Sequence, residues 1–209
     1  MARYTGPGCR ICRRFGEKLM LKGNRCQTPK CAVEKRHTPP GEHAMRRRRK
    51  LSERGIQLRE KQKVRYTYGV MERQFRRTFA EAERRKGITG ETLLQLLELR
   101  LDNVVYRLGF ADSRRQSRQL VRHGHFVING RKTDIPSASL KVGDTVAWAE
   151  GSTKLEHYQI MAREIQSKYT PPWLSLDLQA LTARVTGVPA RSDVGGTIQE
   201  EEIVAYYSR

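Results

Sequence analysis

Four cysteines lie within the first 31 residues, as Cys9-x2-Cys12, thirteen intervening residues, and Cys26-x4-Cys31. Each close pair can supply two ligands from one turn, and the loop between the pairs can fold around an ion, which is what a tetrahedral thiolate site requires. Ligand softness selects zinc, one ion. An iron–sulfur cluster would accept the same ligands but finds no redox context here. Two disulfides are the competing arrangement and are disfavoured in a chain that is not exported. Four unrelated buried cysteines would need an apolar segment, and this one is polar. Arg10, Arg13, Arg14 and Arg25 stand beside the thiolates in sequence and offset their charge. With Cys9, Cys12, Cys26 and Cys31 filling all four positions, no position stays open for a substrate water. The knuckle reads as a rigid basic platform rather than a catalyst.

A second constellation lies further along. Arg114, Arg118 and Arg122 are spaced by four and fall on one stripe of a helix. Ser113 is placed to cap that helix, and Arg115, Gln116 and Gln119 flank the stripe. His123 and His125 straddle Gly124, and a hairpin tip presents Asn129, Arg131 and Lys132. One helix face and one hairpin tip would make a basic, amide-rich surface suited to the phosphates and 2′-hydroxyls of folded RNA. A solvated helix beside a surface hairpin explains the same spacing, so the stripe alone does not decide between them.

Charge does decide. The formal net charge is +19, and residues 1–88 hold 26 Lys and Arg against 8 Asp and Glu. Such a concentration repels itself, and a polyanion removes the repulsion while releasing its own counterions. The residues expected to meet that polyanion in the basic half are Arg3, Arg10, Arg13, Arg14, the run Arg46-Arg47-Arg48-Arg49-Lys50, and Arg59, Lys61 and Lys63. No apolar run approaches the roughly 18 residues of a membrane span, and Met1-Ala2-Arg3-Tyr4-Thr5-Gly6 carries no apolar secretory core. The expected location is the cytoplasm.

The elements that must position these groups follow from periodicity. Residues 1–50 read as an irregular basic arm that orders on its partner, apart from what the cysteines hold. Over 51–97 a helical domain is expected: Ser52 caps a helix that Gly69 stops, Met71, Phe75, Phe79 and Ala82 mark a second that ends before Gly87, and Thr89 caps a third. Over 98–165, Leu101, Val104, Val105 and Leu108 give one helix face and Gly109 ends it. The Ser113 helix stops at Gly124. His125–Ile128 and Arg131–Thr133 flank Asn129-Gly130, a hairpin turn needing two positive φ angles, and Thr145–Trp148 is a further strand. Residues 166–209 are expected to pack back onto the helical domain. The fold class is α+β, with the two-helix and small antiparallel-sheet unit inserted in a mostly α-helical domain.

The run Ser113–Arg131 closely resembles the RNA-binding domain named after ribosomal protein S-four. Leu58–Lys63, Leu96–Phe110, Trp173–Asp177 and Tyr207-Ser208-Arg209 extend the resemblance over essentially the whole chain, to the bacterial small-subunit ribosomal protein S-four family. Cys9, Cys12, Cys26 and Cys31 match its zinc-knuckle-bearing form at every ligand. Ser117 departs from it, where a small Ala is common, and residues 183–201 match more loosely. The resemblance implies a structural constituent of the small ribosomal subunit, present on the ribosome. It implies direct, early binding of small-subunit ribosomal RNA that nucleates the subunit body. Contacts with ribosomal proteins S-five and S-twelve and an influence on decoding accuracy are also implied.

Two other functions were weighed. An RNA-modifying enzyme would need an acid–base pair or a nucleophile in a water-excluding pocket. His37, His43, His123, His125 and His157 are the only histidines, no phosphate-cradling Gly loop appears, and no domain is spare. A zinc-finger DNA regulator would need a recognition helix phased against the metal site, and Pro39-Pro40-Gly41 breaks the segment that follows Cys31.

Overall fold

The computed structural model describes residues 3–41 and 50–208. In chain order the helices and strands are α1 (Gly8–Phe15), α2 (Ala32–Lys35), α3 (Glu53–Thr67), α4 (Glu72–Arg84), α5 (Thr89–Glu98), α6 (Leu101–Arg107), α7 (Arg114–Arg122), β1 (Phe126–Ile128), β2 (Arg131–Thr133), β3 (Thr145–Trp148), α8 (Glu156–Glu164), β4 (Leu174–Asp177), β5 (Thr182–Val185) and α9 (Glu200–Tyr207). They fall into two compact units. One runs to Leu93 and resumes at Gly196, and the other, inserted between them, is Leu94–Gly195.

In the first unit, α3 begins at Ser52, whose side chain accepts the Gly55 N–H at 3.2 Å, and closes before Gly69 at φ +64°. Val64, Phe75 and Ala82 are fully buried. Tyr207 of α9 stacks on Phe79 at 4.4 Å between ring centroids, and Ile203 of the same helix is fully buried. The segment before Gly41 is not the irregular arm that its composition suggests. Ile11, Cys12, Phe15, Leu19 and Leu21 form a small core, and Tyr4, Val33 and Tyr66 pack against it. Ile11 and Phe15 share one face of α1, and that short apolar set is enough to close over the α3 aromatic.

The inserted unit is built on α6, where Leu101, Val104, Val105 and Leu108 are fully buried, worth about 1.5–3 kcal/mol each. The described residues form one antiparallel five-stranded sheet in the order β2-β1-β3-β5-β4. Asn129 at φ +49° and Gly130 at φ +77° turn β1 into β2 in the expected register, Ile128 opposite Arg131. The sheet is larger than expected. Residues 171–185, expected to pack on the helical domain, instead pair β5 with β3, Val146 opposite Ala183, and bury Trp173, Leu174, Ala183 and Val185 in the insert's core. Their alternating apolar side chains suit the edge of β3 that β1 leaves open. Only the residues from Gly196 join the helical unit.

Candidate nucleic-acid interface

The arginine helix is held by carboxylates. Ser113 caps α7 by accepting the Gln116 N–H at 3.3 Å, and Gln116 Oε1 accepts the Asp112 N–H at 3.0 Å. Asp102 on α6 is almost wholly buried and receives Arg100 through both oxygens, at 3.0 and 2.8 Å, and Arg118 Nη1 at 2.8 Å. Glu98 is 1% exposed and receives Arg107 Nη2 at 2.6 Å and Asn103 Nδ2 at 2.6 Å. Arg114 Nε donates to Asn103 Oδ1 at 2.7 Å, and its guanidinium lies 4.5 Å over the Tyr106 ring. Ser117, fully buried, donates its hydroxyl to the Asp102 carbonyl. Buried charges this well paired fix α7 against α6.

The predicted stripe therefore divides. Arg114 and Arg118 turn inward, Arg115 is half-buried, and Gln119, Arg122 and His123 are exposed. Beyond α7, Gly124 at φ +74° leaves room where the Lys132 stem passes: a Cβ there would lie 2.8 Å from Lys132 Cε. That close approach joins the hairpin to the helix end. His125 Nδ1 is 2.9 Å from Ser152 Oγ, and its ring is 5.9 Å from that of His123. Burial lowers the His125 pKa below its ordinary value of 6.5, and the charges of His123, Lys132 and His157 lower it further. Arg122, His123, His125 and Lys132 thus make a cationic junction, with Arg131 exposed on the hairpin. Asn129, expected to face the ligand, has its amide engaged in the turn: Oδ1 accepts Thr145 N–H at 2.8 Å and Nδ2 donates to Asp144 at 2.9 Å.

In the other unit, Arg3, Arg10, Arg14 and Lys50 are exposed. Arg13 is spent on the carbonyls of Thr38 and Pro39, at 3.0 and 3.2 Å, and Arg59 on that of Phe15, at 2.6 Å. Lys61 and Lys63 are buried and ion-paired, Lys61 with Glu72 at 2.5 Å and Lys63 with Glu60 at 2.8 Å. Both lie on the α3 face that α9 covers, since Lys61 Nζ sits 4.6 Å from the Tyr206 ring and Lys63 Nζ donates to the Thr197 carbonyl at 2.5 Å. Arg46, Arg47, Arg48 and Arg49 lie outside the described residues.

The four cysteines line one cavity with about 10 Å³ of space, bounded also by Leu21, Lys22 and Val33. All are free thiols, three of them buried. Burial raises the Cys12 pKa, a backbone hydrogen bond with Leu19 opposes this, and Cys26, Cys9 and Cys31 add to the rise. The Lys22 N–H points to Cys26 Sγ at 3.3 Å. Among the described residues no group of three or more His, Cys, Asp or Glu is arranged to hold a metal ion. The donor set and the shared cavity suit a soft cation, and the sulfurs would have to draw together to bind it.

The buried network of Glu98, Arg100, Asp102, Asn103 and Arg107 is absent from the sequence reading. Its signal was present in Glu98–Asn103, where charged residues alternate with Leu99 and Leu101, both of which an inserted core must bury.

A capped basic helix, an Asn-Gly hairpin and a cationic junction between them define a compact α+β nucleic-acid-binding module, inserted in the sequence of a basic helical unit. Residues 3–98 match the family described as the Ribosomal protein S4/S9 N-terminal domain, and residues 99–146 match the S4 domain. The chain is 56% identical to the small ribosomal subunit protein uS4 of Pelobacter propionicus, 54% to that of Heliobacterium modesticaldum and 51% to that of Thermus thermophilus. Each alignment covers 100% of both chains. The chain belongs to the family of small ribosomal subunit protein uS4.

Proposed function

We propose that this protein is a structural constituent of the small ribosomal subunit and not an enzyme. It binds small-subunit ribosomal RNA directly, nucleates assembly of the subunit body and contributes to translational accuracy on cytoplasmic ribosomes. The observation that carries the reading is the cationic junction of Arg122, His123, His125 and Lys132, set in a module whose whole chain aligns end to end with ribosomal relatives. Shape recognition of folded RNA needs a rigid cationic surface, and the Asp102 and Glu98 clamps supply the rigidity. Ribosomal proteins S-five and S-twelve are the proposed protein neighbours. They follow from the family likeness, and depletion of either from a reconstitution should alter this protein's footprint on the RNA.

Cys9, Cys12, Cys26 and Cys31 would hold one zinc ion, supported by their shared cavity and free thiols. The ion would cross-link α1, the turn after Gly23 and the start of α2. It leaves the chain's own work to Arg10 and Arg14, which α1 presents to solvent.

Filter binding of the full-length protein to a small-subunit ribosomal RNA transcript tests the proposal, with duplex DNA as competitor. RNA retained against excess duplex supports it. Equal competition by duplex would favour a DNA-binding regulator.

A further inference from the structure

Beside the cysteine cavity and distinct from it, the first unit holds a cavity of about 590 Å³ that the interface above does not use. That is within the range of roughly 300–1,000 Å³ for pockets that take small molecules. Its floor is one face of α3, where Leu58, Arg59, Gln62, Arg65 and Tyr66 recur at helical spacing, and its rim includes Arg14 of α1. No acidic residue lines it.

Two polar atoms on that floor lack partners. Gln62 Oε1 and Arg65 Nε are both closed off from solvent and make no hydrogen bond, an arrangement that native interiors avoid. One is an acceptor and the other a donor, one helical turn apart. The Arg65 guanidinium lies 4.6 Å over the Tyr66 ring, so a flat cationic surface adjoins the pair. Arg14, exposed on α1, adds positive charge at the rim.

We infer that this cavity receives a single unstacked nucleotide of the bound RNA. The base edge pairs with Gln62 and Arg65, the base face lies on the Arg65–Tyr66 stack, and the adjoining phosphate meets Arg14. Three features favour a nucleotide over an acidic peptide: the flat stack, the matched donor and acceptor, and a lining that mixes aromatic with guanidinium groups. The inference rests on the ribosomal-RNA reading, and it adds a site that reads a base to a surface that reads shape.

The test uses the full chain and the same RNA transcript. Gln62→Leu keeps the side-chain size and removes the acceptor, and Tyr66→Leu removes the stacking surface. Because Tyr66 also packs on Phe15, circular dichroism must show each variant folded, and Gln62→Leu carries the test if Tyr66→Leu is not. About tenfold weaker RNA binding is expected, a typical loss for a base contact or a stacked base. The salt dependence should be unchanged, since no phosphate contact is removed. A photo-reactive benzophenone placed at position 58 should cross-link to one nucleotide in a loop or bulge. Unchanged affinity of Gln62→Leu, or a cross-link only within the protein chain, overturns the inference while leaving RNA binding intact. Failure of the unaltered protein to prefer this RNA over duplex DNA overturns both.

Discussion

Arg118 Nη1 stands 2.8 Å from Asp102 Oδ2, so the middle arginine of the α7 stripe is an anchor rather than an outstretched hand. The same carboxylate is held by Arg100, and all three side chains are at most 11% exposed. Arg122, one turn on, is exposed. Two arginines with the same spacing signature therefore have separable jobs. Arg118→Ala should destabilise the protein by about 2 kcal/mol, because Arg100 remains to neutralise Asp102 and the larger cost of a stranded buried charge is avoided. Arg122→Ala should leave stability within about 0.5 kcal/mol and lower the salt slope of RNA binding by about 0.7–0.9. Urea unfolding and binding across a salt series check both. An identical slope for Arg122→Ala would place its side chain away from phosphate.

Asn129 ties the hairpin tip to the strand beside it. Asn129→Gly keeps the positive φ and removes the amide bonds to Thr145 and Asp144, whereas Asn129→Ala loses both the bonds and the backbone ease. The expected order of stability is wild type, then Gly, then Ala, with the Ala variant down by about 1–2 kcal/mol. Thermal denaturation of the three proteins gives the order, and equal midpoints would show that the amide contributes nothing.

His125 gives the fold a pH dependence whose sign is set by its lowered pKa. Between that value and the ordinary 6.5, the unfolded chain binds more protons than the folded one, so stability rises with pH. The contribution is complete above 6.5 and is lost as pH falls below it. Urea midpoints should drop as pH is lowered from 7.5 to 5.5, and His125→Asn should flatten the drop. Bound polyanion favours the charged ring, so RNA binding should take up protons over the same range, visible as buffer-dependent heat in calorimetry.

Chelation of the proposed zinc should loosen the knuckle alone. Limited proteolysis after a strong chelator is expected to cut within residues 3–41 and spare Leu94–Gly195, whose core includes no cysteine. Cleavage spread evenly along the chain would show that the cysteines do not hold a separate element.

How far the sequence alone reached depends on the range of the interactions. The α6 face, the Ser113 cap and the Asn129-Gly130 turn were legible because each is set by a few neighbouring residues. The pairing of β5 with β3 was not, since it joins Ala183 to Val146 across the intervening α8 and only tertiary packing selects it. The exposed arginines could not be told from the anchored ones, because spacing fixes a helix face but not the carboxylate that meets it. Lys61 and Lys63 were misplaced for the same reason: their partners include Glu72, Glu60 and the Thr197 carbonyl, the last contributed from the far end of the chain. The small core around Phe15 was hidden by basic neighbours that dominate the composition without occupying that face.

The central claim is that this protein is an integral part of the small ribosomal subunit. Sedimentation of a cell lysate through a gradient after a high-salt wash tests it most directly, because screening strips proteins held only by loose surface charge. The account predicts recovery with small subunits in near one-to-one amount. Recovery as a free protein at the top of the gradient would contradict it.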